Sequence, residues 1–585
     1  MKKKNQSNRK KLFLAAAALA VIGIGGTGAY YYQQESSETA RKLEQVKEQK
    51  RQELKDAEGT YNSSSIVLSD TTKAQAEAIA DKIGAEVRLT DQEDYAVLYL
   101  PEEVTIEDVY DSEEYGDYLP EMDPDYYVSV CDLEEDSRKL YTSHPEYTVN
   151  DEYYKMQTYL DYVHMGDTWS TTKGSGVKVA VIDTGIDTDN PEFKGRISED
   201  SYNASTDKKV KDYGMDMIED EDGHGTGVAG VLAASMDQTG ITGIAPEAEL
   251  IVIKCETDRT GQFARGSDLV FGLAYAIECD ADVVNMSFGT DVNIFSRYTK
   301  LAADSDVICV ASAGNDSSAM PTYPAADENV IGVGALEAGG WDLADYSNYG
   351  DNSDILAPGT AYTIQKDGSY AVSNGTSIAA PIVSGAVALY LAENPNTEYT
   401  TMQELLQASS ADLGILGEDW QHGFGALDIH ALVREEKGTI TYEMLTDEVE
   451  NMSQIFVKGH TVQTMAEPER ENLVLDGWFY DNQTTDECEY YTDIFTEDVT
   501  LYAGWINEDD GTAWQYTVQS DDTVEITAYT GKRRYLTVPK ELEGKKVSSI
   551  GEGAFSGNSR IRQVTLPDSL TGIRDRAFYN CNSLR

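Results

Sequence analysis

Val179-Ala-Val-Ile-Asp-Thr-Gly-Ile-Asp187 decides the fold. Four apolar residues run into an acid and then a glycine, which reads as a buried strand ending at Asp183. Apolar runs of similar length stand at 250–253, 283–286, 307–311 and 330–333, with helical stretches such as 269–279 between them. That alternation predicts an α/β domain over residues 151–434, a parallel sheet with helices on both faces. Open parallel sheets carry their sites at the carboxyl ends of the strands. Asp183 falls at one such end, and Asn315 follows another.

Two more stretches share the glycine-rich character: Gly223-His-Gly-Thr-Gly-Val-Ala-Gly230 and Asn374-Gly-Thr-Ser-Ile-Ala-Ala-Pro381. They supply His224 and Ser377. A serine hydroxyl is a poor nucleophile until a base stands within hydrogen-bond reach and a third group fixes the tautomer of that base. Each residue alone has a plainer reading: Asp183 as a turn residue, His224 as a structural histidine, Ser377 as a helix N-cap. Asp-Thr-Gly also marks aspartic proteases, but those need a second such aspartate, and the chain has no other Asp-Thr-Gly or Asp-Ser-Gly. A lipase or esterase is disfavoured by Gly-Thr-Ser-Ile-Ala in place of Gly-x-Ser-x-Gly and by the residue order.

Taken together, in the order Asp, His, Ser, these stretches resemble the subtilisin-like serine proteases (peptidase S8). Val310-Ala-Ser-Ala-Gly-Asn315, Asn285-Met-Ser-Phe-Gly289, Ala357-Pro-Gly359 and Gly423-Phe-Gly-Ala-Leu427 extend the likeness. The resemblance implies that Ser377 attacks a peptide carbonyl, His224 moves the proton, Asp183 orients His224, and Asn315 binds the oxyanion. It implies that substrate lies beside Ser287, Phe288 and Gly289. No cofactor is expected for the chemistry. Structural calcium is expected at Glu192 and at Asp237 in the loop 235–241, where the family has its ligands. Residues 60–131 stand where the family has its propeptide, so residues 132–150 are expected to hold a self-cleavage site, with Lys139 and Tyr141 as candidates. Asp222, two residues before His224, is expected to line a subsite that favours a basic side chain. There are departures: Gly227 replaces a common histidine, Ile378-Ala-Ala-Pro-Ile382 differs from the usual continuation, and the segment between Asn315 and Tyr323 is short.

The rest of the chain sets the context. At 585 residues it exceeds one core, and 41% hydrophobic content fits folded domains rather than disorder. A formal charge of -57 argues against binding nucleic-acid phosphates. Six basic residues between Lys2 and Lys11 precede an uncharged apolar run, so residues 1–29 read as a signal peptide or a membrane anchor. Residues 30–59 read as a charged helical stalk. The six cysteines form no C-x-x-C pair, which disfavours zinc, and three lie in or beside apolar segments as expected of buried thiols. Residues 438–505 resemble a small β repeat of bacterial surface proteins such as internalins. From about 515 to 585 a 23-residue period appears: Ile550, Ala554, Phe555 and Ile561 return as Ile573, Ala577, Phe578 and Leu584, as in leucine-rich repeats. The expectation is an exported or cell-surface bacterial endopeptidase. Its partners would be protein or peptide substrates, its own propeptide, and a surface ligand of the C-terminal modules. The rival is a silent adhesin on a protease fold, disfavoured by the joint presence of Asp183, His224, Ser377 and Asn315.

Overall fold

Residues 61–69 run from polar Asn62–Ser65 into the apolar, buried Ile66-Val-Leu68 and form strand β1 (Tyr61–Ser69). The computed structural model describes residues 47–584 apart from 56–60, 91–94, 113–121, 131–133, 136–148, 258–262, 508–512 and some single residues and short stretches. The expected signal or anchor at 1–29, and the expected cleavage residues Lys139 and Tyr141, lie outside the described residues. Two compact units emerge, residues 1–129 with 256–274, and residues 130–255 with 275–585.

In the first unit β1 is followed by α1 (Lys73–Ile83), β2 (Glu86–Leu89), β3 (Tyr95–Tyr99), α2 (Ile106–Asp111) and β4 (Met122–Val130). Thr72 and Gln75 cap each other reciprocally at the start of α1, and Gly84 ends it at φ +78°. The helices bury Ile79, Ile83, Ile106 and Val109 with Ile66, Leu68 and Leu98 of the sheet. Leu54 joins that core, and Lys50 Nζ lies 2.8 Å from Asp123. The described end of the expected stalk is therefore part of the unit, because Leu54 is buried there.

The second unit opens with β5 (Glu134–Glu135), which pairs with a strand named below, so part of the expected linker is ordered backbone. Its sheet is built from β6 (Lys178–Asp183), β7 (Tyr202–Asn203), β8 (Lys208–Lys209), β9 (Glu249–Lys254), β11 (Val283–Met286), β13 (Ile308–Ser312), β14 (Ile331–Leu336) and β15 (Ile355–Pro358). Helix α3 (His224–Ala233) precedes β9. Between β9 and β11 the chain passes through the first unit, which holds β10 (Phe263–Arg265) and most of α4 (Gly266–Glu278), and β12 (Phe288–Gly289) follows β11. The strand order is 15-14-13-11-6-9-7-8, parallel throughout except for the β7–β8 hairpin. This is the expected α/β architecture, and Asp183 is the last residue of β6.

A hairpin of β16 (Thr360–Ile364) and β17 (Tyr370–Asn374) leads into α5 (Thr376–Glu393). The small residues of α5 let the helix lie buried on all sides among the strands. It is also long and apolar enough to cross a membrane, but 83% of it is buried inside the fold. After α6 (Tyr399–Ser409) come the C-terminal modules. A four-stranded sheet joins β18 (Lys437–Glu443), β19 (Met452–Val457), β20 (Leu473–Phe479) and β21 (Val499–Asn507). Beyond it, β22 (Lys545–Ile550) pairs in parallel with β23 (Gly572–Ile573), setting Ile550 opposite Ile573. That register is the 23-residue period, and the Phe555 and Phe578 rings stack 4.8 Å apart.

Candidate active site

Asp183 and His224 are brought together by the approach of α3 to the end of β6. Gly223 starts α3 at φ +107°, and Gly225 has no room for a side chain: a Cβ there would lie 2.3 Å from the Gly185 carbonyl oxygen. The glycine-rich motif thus lets the helix touch the strand end. His224 Nδ1 donates to Asp183 Oδ1 at 2.7 Å, and both side chains are almost fully buried. With Nδ1 committed to the carboxylate, Nε2 is left as the acceptor. Thr184 N also donates to Asp183 Oδ1, at 2.7 Å.

Ser377 is the second residue of α5, after Gly375 and Thr376, and it is fully buried. Helices α3 and α5 pack against each other, so His224 and Ser377 each lie at the start of one of two contacting helices. Asn315 stands three residues past the end of β13. Its Oδ1 accepts from Thr376 N at 2.9 Å and Thr376 Oγ1 at 2.8 Å. These bonds engage its oxygen and leave its Nδ2 as the donor end of the amide. Thr376 Oγ1 accepts in turn from Gly314 N at 3.1 Å. The short segment after Asn315 is tied down by Asn348, whose Oδ1 takes the N–H groups of Asp316 and Ser318, each at 2.9 Å. Thr376 and Asn348 are site residues that sequence reasoning missed. Thr376 stood inside a quoted motif, whereas nothing in the sequence signals Asn348.

Ser287 donates to the Ser377 carbonyl at 3.2 Å, and Phe288–Gly289 is the buried β12. Asp222 is half-buried with its Oδ1 accepting from His224 N at 3.3 Å. Burial and the neighbouring Asp220 hold the Asp222 carboxyl above its ordinary range.

Glu192 and Asp237 fall in one region, and Asp151 joins them. Glu192 Oε1 accepts from Ile241 N at 3.0 Å and from the Tyr370 hydroxyl at 2.8 Å. Asp151 Oδ1 accepts from Asp237 N at 3.0 Å. Glu192 Oε2 and Asp151 Oδ2 are buried without a hydrogen-bond partner. Burial pushes the Glu192 carboxyl up to about 7, with Asp237 and Asp151 adding to the effect. Orphaned carboxylate oxygens are the donor chemistry of a hard cation. Among the described residues no three acidic, histidine or cysteine side chains converge as a ligand set.

Fold and site define a class, the subtilisin-like serine proteases. Residues 174–425 match the subtilase family, and the chain belongs to that family. It is 32% identical over 266 residues to a subtilisin of Bacillus pumilus, covering 44% of this chain and 91% of that one. An intracellular serine protease of Paenibacillus polymyxa is 37% identical over 232 residues, 38% of this chain and 68% of the relative. A thermophilic serine proteinase of Bacillus sp. (strain AK1) is 36% identical over 269 residues, with 44% and 63% covered. The structure of fervidolysin from Fervidobacterium pennivorans, a keratinolytic enzyme related to subtilisin, shares the fold. Its TM-score is 0.57 at 22% identity, over 66% of this chain and 64% of that one. Residues 439–504 match the Listeria-Bacteroides repeat domain, and residues 535–585 match the BspA type leucine rich repeat region.

Proposed function

We propose that the chain is an exported serine endopeptidase that works through Asp183, His224 and Ser377 and matures by cutting itself. The buried 2.7 Å bond from His224 Nδ1 to Asp183 carries the reading. It fixes the tautomer in which Nε2 takes the Ser377 proton as Oγ attacks the substrate carbonyl. Asp183 then stabilises the imidazolium, which hands its proton to the leaving amine. The Ser377 N–H and the Asn315 amide hold the oxyanion as it forms, and water resolves the acyl-enzyme. The chemistry needs no cofactor.

Self-maturation is supported by β5. Glu134–Glu135 runs antiparallel to β17, with Glu134 opposite Asn374, three residues before the nucleophile. An extended chain is thereby already seated on the strand that leads to Ser377. The apolar N-terminal segment supports export, and the surface-type repeats support a cell-surface or extracellular site, with the C-terminal modules binding a surface ligand. A structural calcium would be held by Glu192 and Asp237 with carbonyls of the loop 235–241, and would offset the negative charge of nearby Asp151.

The test is expression of wild type and Ser377→Ala, with N-terminal sequencing and labelling by a fluorophosphonate. Cleavage after the N-terminal unit and labelling, both in wild type alone, are expected. An uncleaved, unlabelled wild type would favour the silent adhesin. Asp222 is proposed to face a basic substrate side chain next to the scissile residue. Peptide-library profiling should show that preference in wild type and a drop of about tenfold in Asp222→Asn. An unchanged profile would remove Asp222 from the specificity set.

A further inference from the structure

A proline sits inside the nucleophile helix, one turn after Ser377. In α5 the Ser377 carbonyl should accept from the N–H four residues on, but that residue is Pro381, which has none. The peptide unit that carries the nucleophile therefore lacks its ordinary helical tether. It lies in the first turn of a helix entered through Gly375 at φ +141°, where the backbone is least constrained by its own ladder.

Side chains from β11 and the residue after it supply a donor instead. Ser384 Oγ, on the next turns of α5, donates to Asn285 Oδ1 at 2.8 Å. Asn285 Nδ2 donates to Ser287 Oγ at 3.1 Å. Ser287 Oγ donates to the Ser377 carbonyl at 3.2 Å. All four residues are completely buried. The direction is unambiguous: with its oxygen taken by Ser384, the Asn285 amide offers only its N–H to Ser287, and the Ser287 proton is left for the carbonyl. The relay starts and ends on α5 and passes through β11, so it fixes the nucleophile's peptide against the sheet.

We propose that Asn285 is a positioning residue for Ser377, acting through Ser287 to replace the hydrogen bond that Pro381 removes. The proposal rests on the protease reading above. It assigns Asn285 no contact with substrate; its effect is the placement of the Ser377 Oγ and N–H. A displaced nucleophile loses rate steeply, because the reacting atoms must meet within a few tenths of an ångström. Substrate pairing with the cleft strand uses backbone groups, which these side-chain changes leave in place.

The full chain is expressed as wild type, Ser377→Ala, Ser287→Ala, Asn285→Leu, their double variant, and Ser287→Ala with Pro381→Ala. Active sites are titrated with a fluorophosphonate, so kcat is expressed per competent site and misfolded material drops out. Ser287→Ala and Asn285→Leu should each lower kcat about tenfold or more with KM within about twofold. The double variant should be no worse than the worse single one, since both cut the same relay. Pro381→Ala restores an N–H below the Ser377 carbonyl. It should recover at least about threefold of the Ser287→Ala loss, which a merely space-filling role for Ser287 would not allow. If Asn285→Leu yields no folded protein, Ser384→Ala takes its place, with a kcat-only loss of about threefold expected. Multiplying costs, a loss carried by KM, or no recovery with Pro381→Ala would each overturn the relay. A wild type that neither hydrolyses peptide nor takes the label overturns the protease reading itself, and is told apart because it appears before any variant is compared.

Discussion

Asn315 shows how much a single side chain depends on partners far away in sequence. Its Oδ1 is held by Thr376, whose hydroxyl bonds both Asn315 and Gly314. Replacing Thr376 by valine keeps the shape and the backbone N–H but removes the hydroxyl, leaving the amide freer to rotate. The expected result is a fall in kcat of about tenfold with KM unchanged. Asn315→Leu should cost more, about 10²–10³, the range set by loss of the same donor in subtilisin. In the double variant most of the Thr376 effect should vanish, because the hydroxyl acts mainly through the amide, and what is left reports the Gly314 N–H that it also holds. Kinetics on a short peptide, normalised by active-site titration, decide it, and additive losses would separate the two residues. The proposed catalytic residues were legible because each sits in a glycine-rich motif at a strand end or a helix start. Their supports were not. Asn348 is an ordinary asparagine until the fold sets it beside the loop after Asn315, and Asn285, although it opens a quoted motif, gains its part only when the fold sets it between Ser384 and Ser287. Asp151 likewise joins Glu192 and Asp237 from the far end of an expected linker, with no local signal.

Among the elements, the strands of the parallel sheet could be read from apolar runs bounded by polar turns, because both of their faces are covered. The β16–β17 hairpin was harder. Its turn is marked by Asp367-Gly368, but neither strand is apolar enough to stand out as a run. Yet it carries Tyr370, whose hydroxyl bonds Glu192 and so joins the nucleophile's approach strand to the loop 235–241. Glu192 gives that loop a pH dependence with a definite sign. Its carboxyl is raised from 4.5 to about 7, chiefly by burial. The folded state then holds the proton more tightly than the unfolded state. Its stabilising contribution is full below the unfolded value and is lost as pH rises through about 7. A calcium ion would reverse that loss by pairing with the ionised form. Thermal unfolding of wild type with calcium and with a chelator should show a small gap near pH 5, widening towards pH 8. In Glu192→Gln the gap should shrink and lose most of its pH dependence. An equal gap at both pH values in wild type would remove Glu192 from the cation site.

At the scale of the whole molecule, the acidic balance hides an exception. The chain carries a net -57, yet five residues around Arg534 pair across the two C-terminal modules. Arg534 and Arg562 reach Glu487, while Arg534 and Arg560 reach Asp476. Both acids belong to the four-stranded module and all three arginines to the repeat. The repeat itself was legible from its period, since stacking sets Ile550 beside Ile573. The joint was not, because charges scattered between residues 476 and 562 have no pattern until the modules meet. Asp476 and Arg534 have side chains only 11% and 16% exposed, so the pairing is shielded from salt more than a surface bridge would be. Arg534→Ala removes the central cation and leaves two crowded acids. It should lower the stability of the C-terminal transition by on the order of 2 kcal/mol in urea unfolding, and should make the pair of C-terminal modules more susceptible to limited proteolysis. Hydrolysis of a short peptide should not change, since no residue of the network belongs to the proposed catalytic set. Roughly 0.5 M salt should narrow the difference between wild type and variant by weakening only the wild type. If the variant unfolds with the wild type and resists protease equally, the modules are joined by their apolar contacts, and the arginines merely offset a local excess of acid.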